Sequence, residues 1–147
     1  MCSYVFLSIP FFVILTFSII LSIQDVKHKS INIFILIIGI ISALIIQIFS
    51  NWDNILLFIS SSFILGLFYF FIKIITKNKL GKADIYFGIF QGIFLLPSVI
   101  PLCLIIESMI SLIFVCKIFK EKSFPFIPFM SVGLIISFYI QTIVTNF

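Results

Sequence analysis

Residues 31–50 read INIFILIIGIISALIIQIFS, twenty consecutive residues without a charge. A helix of that length rises about 1.5 Å per residue and covers the ~30 Å hydrocarbon core of a bilayer. Working outward, apolar runs with at most one charge recur on both sides. Helices are expected at about residues 4–24, 31–50, 55–72 and 128–144. The run at 85–116 has 32 residues, too many for one ordinary crossing, and carries Pro97 and Pro101. Proline removes a backbone donor and disfavours helix in the residue before it. The run therefore divides into helices at about 85–96 and 102–116, six in all. The fold class is all-α, a polytopic membrane protein.

Composition agrees. Of 147 residues, 63% are hydrophobic and 10% charged, and the mean hydropathy is +1.39. A soluble domain of this length has too much surface to hide so much apolar area. No stretch reads as a second, soluble domain or a linker, so residues 1–147 are expected to form one membrane domain. The first run has no basic segment ahead of it and no small-residue cleavage site, so it is expected to be retained as a helix rather than removed as a leader.

All nine basic residues are lysines. Lys27 and Lys29 follow the first helix; Lys73, Lys77, Lys79 and Lys82 follow the third; Lys117, Lys120 and Lys122 follow the fifth. Six crossings put all three groups on one face. Lysine-rich loops mark the cytoplasmic side, so both termini are expected outside. The net charge of +4 thus reflects topology and contact with anionic lipid, and gives no reason to expect nucleic acid.

Only five acidic residues exist. Asp25 is expected just after the first helix and Asp84 just before the fourth, both at the cytoplasmic boundary. Two carboxyls held close cannot both ionise easily. They share a proton, so that one activates water while the other protonates a carbonyl oxygen. Helix dipoles favour a charged Asp84 at an N-terminus and a neutral Asp25 at a C-terminus. The bland alternative makes Asp84 a helix cap and Asp25 a solvated loop residue.

Three segments raise the catalytic alternative. DVKHKSIN at residues 25–32, including Lys27, resembles the first aspartate motif of the type IV prepilin peptidases. GKAD at 81–84 (Gly81, Lys82, Ala83, Asp84) resembles their GxGD motif. IPFM at 127–130 (Ile127, Pro128, Phe129, Met130) is similar to the segment opening their last helix. The resemblance implies a membrane aspartic endopeptidase of the bacterial cytoplasmic membrane, with Asp25 and Asp84 as its catalytic pair. It also implies no cofactor and a prepilin- or pseudopilin-like substrate of pilus or secretion systems, whose basic leader is cut at the cytoplasmic face. The chain departs from the pattern at Ala83, where the motif has glycine, at Tyr86, and at Asn32, where proline is expected. An inactive relative or a small assembly or transport component is the alternative.

Cys2, Cys103 and Cys116 form no CxxC pair, which argues against a zinc site and against the methylating domain of longer relatives. The Tyr-Asp and Pro-Ala-Leu strings of presenilin-like peptidases are absent. Glu107 falls within the fifth helix, where an ionised group costs at least about 2.5–3.5 kcal/mol. It is expected to be neutral and bonded to a neighbour such as Gln91 or Ser111, or else to meet a substrate or partner helix. Gly88 and Gly92 are expected to seat the fourth helix against the first. Lys73 is expected to snorkel, His28 to be solvated and Trp52 to anchor the outer interface.

Overall fold

The computed structural model describes residues 2–28, 31–76, 80–117 and 125–145. Six α-helices follow in order: α1 (Cys2–His28), α2 (Ile33–Ser50), α3 (Ile55–Ile75), α4 (Lys82–Phe94), α5 (Ile100–Lys117) and α6 (Ile127–Thr145). Short 3-10 turns at Trp52–Asn54 and Pro97–Val99 join α2 to α3 and α4 to α5. No strand occurs among the described residues. Five of the six helices are long and apolar enough to cross a membrane, α4 being the exception. Lys29, Lys77, Lys79, Lys120 and Lys122 lie outside the described residues.

Local chemistry explains the boundaries. Asn32, at the position where proline was expected, caps α2: its side-chain oxygen accepts from the Phe34 N–H at 3.0 Å, satisfying a donor the helix cannot use internally. Pro97 opens the 3-10 turn. Pro101 and Pro128 each stand second in their helices, where a missing N–H breaks no internal bond.

The bundle is organised around α4. It packs on α3, α2 and α6, while α1 bridges α2 and α6, and α5 leans on α6. α3 and α5 share no extended packing. Phe87, Phe90, Ile93, Phe94 and Leu95 are buried around α4, with Leu36, Leu65, Met130 and Leu134 from its neighbours. Large apolar side chains cover the outer faces, Phe34, Phe49, Phe63, Ile75 and Leu112 among them. Such a surface suits lipid and not water.

Two glycines let α4 approach α3. A Cβ on Gly92 would lie 2.3 Å from the Ser62 Cα, and one on Gly88 would lie 2.3 Å from the Tyr69 ring. The glycine pair thus seats α4 on α3, not on α1 as expected. The side chain it admits is the bulky Tyr69, whose place no local pattern signals.

α4 has thirteen residues, about 20 Å at 1.5 Å each, and it ends inside the bundle. In apolar surroundings its last carbonyls need partners. Gln47 of α2 donates to the Ile93 carbonyl at 2.7 Å, and Gln141 of α6 donates to the Phe94 carbonyl at 3.1 Å. Gln141 also accepts from the Leu96 N–H at 2.7 Å. Asn51 steadies Gln47 through a 2.7 Å bond.

A second buried polar cluster crosses the middle. Glu107 of α5 is 1% exposed. It accepts from Gln91 at 2.5 Å, from the Cys103 thiol at 3.1 Å, and from the Tyr69 hydroxyl. Gln91 also donates to the Met130 carbonyl at 2.8 Å. Four helices, α3 to α6, are tied at one carboxyl. Gln91 is the partner expected from the sequence; Ser111 instead donates to the Ser108 carbonyl.

Two stability tests follow from this packing. Gly92→Ala, which forces backbone against backbone, should cost more than the ~1–3 kcal/mol usual for overpacking. Gly39→Ala should cost less, because the added Cβ meets only the Phe17 ring, at 2.9 Å. Thermal unfolding in detergent ranks the two, and equal losses would contradict the backbone contact. Glu107→Gln, which preserves shape and keeps one accepting oxygen, should lose less stability than Glu107→Leu. Glu107→Leu orphans the Tyr69 and Gln91 donors, at about 1–3 kcal/mol each.

Candidate active site

Helix α1 runs three residues beyond Asp25, so this carboxyl lies in its last turn rather than after it. Asp84 is the third residue of α4 rather than the residue before it. Its carboxylate reaches back to accept from the Gly81 N–H at 2.8 Å, so the capping role is real. It does not use up the group: the two carboxyls line one cavity of about 210 Å³ with Ile31, Ile33, Gly81, Lys82 and Ala83. Residues 59 positions apart in sequence are brought together because the end of α1, the start of α2 and the start of α4 lie at one end of the bundle.

α6 completes the frame. The Ile127 N–H, the first of α6, donates to Asp25 Oδ2 at 3.1 Å. Ile127 and Phe129 are buried, and Pro128 partly so. Phe129 packs on Phe114 of α5, ring centroids 5.2 Å apart. IPFM thus forms the support of Asp25 and not a wall of the cavity. Lys27 is exposed and also outside the lining.

The departures from the GxGD pattern have simple geometry. Ala83 sits in the first turn of α4, a right-handed helical conformation that alanine adopts freely, and Gly81 has a φ of −67°. Neither position needs the left-handed backbone that would require glycine. The Ala83 methyl takes up room in the cavity wall. Tyr86 points outward and is 39% exposed.

Burial decides the protonation state of Asp84. The residue is 7% exposed, and burial, reinforced by the charge of Asp25, pushes its carboxyl up to about 7. The Gly81 N–H and the Lys73 ammonium oppose this without overcoming it. Burial therefore works against the charged Asp84 that the helix dipole alone favours. The helix dipole is worth at most about 1–2 kcal/mol, and removal from water outweighs it. Lys73, expected only to snorkel, is the cation that acts on Asp84; its place in the last turn of α3 marks the end of the bundle but not its partner.

Two carboxyls on one cavity, that of Asp84 raised by burial and by the charge of Asp25, can divide acid and base roles, with space beside them for water. Among the described residues no three His, Cys, Asp or Glu side chains are grouped to hold a metal ion.

No curated protein matches the chain, and no solved structure does. A family-wide sequence profile, that of the type IV leader peptidase family, matches residues 12–116. That stretch runs from within α1 to the last turn of α5 and contains Asp25, the GKAD segment and Glu107. With more than two thirds of its length matched, this multi-pass membrane protein belongs to the type IV leader peptidase family.

Proposed function

We propose that the protein is an aspartic endopeptidase of the bacterial cytoplasmic membrane. It would cut the basic leader from prepilin- or pseudopilin-like precursors at the cytoplasmic face, with Asp25 and Asp84 as its catalytic pair. The observation that carries this reading is the single cavity lined by both carboxyls. The face rests on the lysines: Lys27, Lys73, Lys82 and Lys117 stand at the same end of the bundle as that cavity, and lysine marks the cytoplasmic side.

In this mechanism Asp25, the more accessible carboxylate, takes a proton from water as the water oxygen attacks the scissile carbonyl carbon. Asp84, protonated because it is buried, gives its proton to the carbonyl oxygen. The tetrahedral diol then collapses. Asp25 passes its proton to the leaving nitrogen, a diol hydroxyl returns one to Asp84, and the C–N bond breaks. The Ile127 N–H holds Asp25 in place, and the Gly81 N–H holds Asp84.

Cleavage of a prepilin-type precursor in membranes tests the pair directly. Asp25→Asn and Asp84→Asn should each lower it by on the order of 10³-fold or more, since an amide can neither take nor supply the proton. Undiminished cleavage in either variant removes that residue from the mechanism. The active form carries one proton, and Asp84 keeps it up to about pH 7. kcat/KM should therefore fall as pH rises past that point, by about tenfold per unit. Lys73→Met removes the cation that opposes protonation of Asp84 and should move the falling limb to higher pH; a limb that stays put would show that Lys73 does not act on the pair.

A further inference from the structure

The bundle has a lateral opening that neither the dyad cavity nor the polar clusters account for. α3 and α5 flank it, joined by the Tyr69–Glu107 bond but without extended packing on each other. Between them lies a cleft of about 310 Å³, walled by Phe68, Ile72, Ile105, Ser108 and Phe126, with Tyr69 and Glu107 also lining it. Both flanking helices are long and apolar enough to span a membrane, and Ile105 is 56% exposed. The cleft therefore opens sideways, toward lipid.

Two short links join residues of the cleft to the candidate dyad. On α4, Gly88 packs directly on the Tyr69 ring and stands one turn below Asp84, about 6 Å along the axis. On the other side Phe126 precedes Ile127, whose N–H holds Asp25. Each carboxyl is thus a single short step from a residue lining the cleft. A lipid acyl chain needs no such continuity, whereas a substrate whose apolar helix adjoins the scissile bond needs it.

We infer that the α3/α5 cleft seats the apolar helix of the membrane-inserted precursor, a proposal that rests on the peptidase reading. The cleft volume is too small for a whole helix. The substrate helix lies along the mouth and sinks large apolar side chains inward, while Ser108, a small residue on the α5 wall, allows close backbone approach. Seated so, its end emerges beside Asp25 and Asp84 and delivers the extended leader junction to them. Glu107 and Tyr69, bonded to each other at the floor, present little free polarity to an apolar guest.

Photo-crosslinking separates this from the alternatives. The Asp25→Asn, Asp84→Asn double variant carries a photoreactive phenylalanine at position 105, or at 113, which lies two turns further along α5 and outside the cleft lining. It is placed in membranes with a radiolabelled prepilin-type precursor that retains its apolar helix. An adduct with the precursor helix from position 105 and not from 113 is expected. Equal adducts from both positions, none from either, or adducts with phospholipid alone from 105 would overturn the proposal. In the active protein Ile105→Trp, which fills the cleft, should raise KM for the precursor about tenfold with kcat within about twofold. Ile113→Trp should change neither. An unchanged KM in the Ile105 variant would count against the cleft. Failure of the wild type to cleave, with the position-105 adduct intact, would remove the peptidase reading and leave the helix-seating cleft standing.

Discussion

A helix that stops inside a membrane bundle leaves carbonyls with no water to turn to, and the architecture follows from how this chain meets that constraint. α4 ends at Phe94 with its last carbonyls taken by Gln47 and Gln141. An unpaired amide group in apolar surroundings costs several kcal/mol, so these two glutamines hold α2 and α6 to one end of α4. Gln91 and Glu107 hold α5 and α6 to its middle. Gly88 and Gly92 press it on α3. The remaining helix, α1, closes over α2 and α6. A short central helix fastened on every side then carries Asp84 at its free end.

Much of this was legible in the sequence, for identifiable reasons. Apolar runs bounded by charges and prolines located every helix to within a few residues, because lipid tolerates few alternatives to a continuous apolar helix. Pro97 and Pro101 divided the long fourth run as expected. The main shift, Asp25 and Asp84 lying inside helices rather than beside them, arises because a charge at a membrane boundary does not end a helix; the hydrogen-bond ladder continues until a cap or breaker intervenes. His28 and Lys82, both exposed and polar, fall within helical turns for that reason.

What stayed hidden was pairing. Gln47, Gln91 and Gln141 are scattered polar residues in apolar runs, and nothing local says which carbonyl each one meets. Gly88 and Gly92 announce a close approach but not its partner, and Tyr69 looks like any aromatic in an apolar helix. The burial of Asp84 was hidden too: the dipole is a property of the helix, visible in sequence, whereas burial belongs to the assembled bundle. The resemblance carried the chemistry further than composition could: the GKAD and DVKHKSIN segments were recognisable as motifs, although only the folded chain places their aspartates around one cavity.

Because α4 is anchored at its far end by two side chains bonded to particular carbonyls, it acts as a ruler. The position of Asp84 relative to Asp25 is set by the count of residues between that anchor and the N-terminal turn. Adding or removing one would shift the carboxyl by about 1.5 Å along the axis and turn it by about 100°. Even an insertion of two full turns, which restores the direction, displaces it by about 10 Å. The length of α4 thus sets the reach of the dyad.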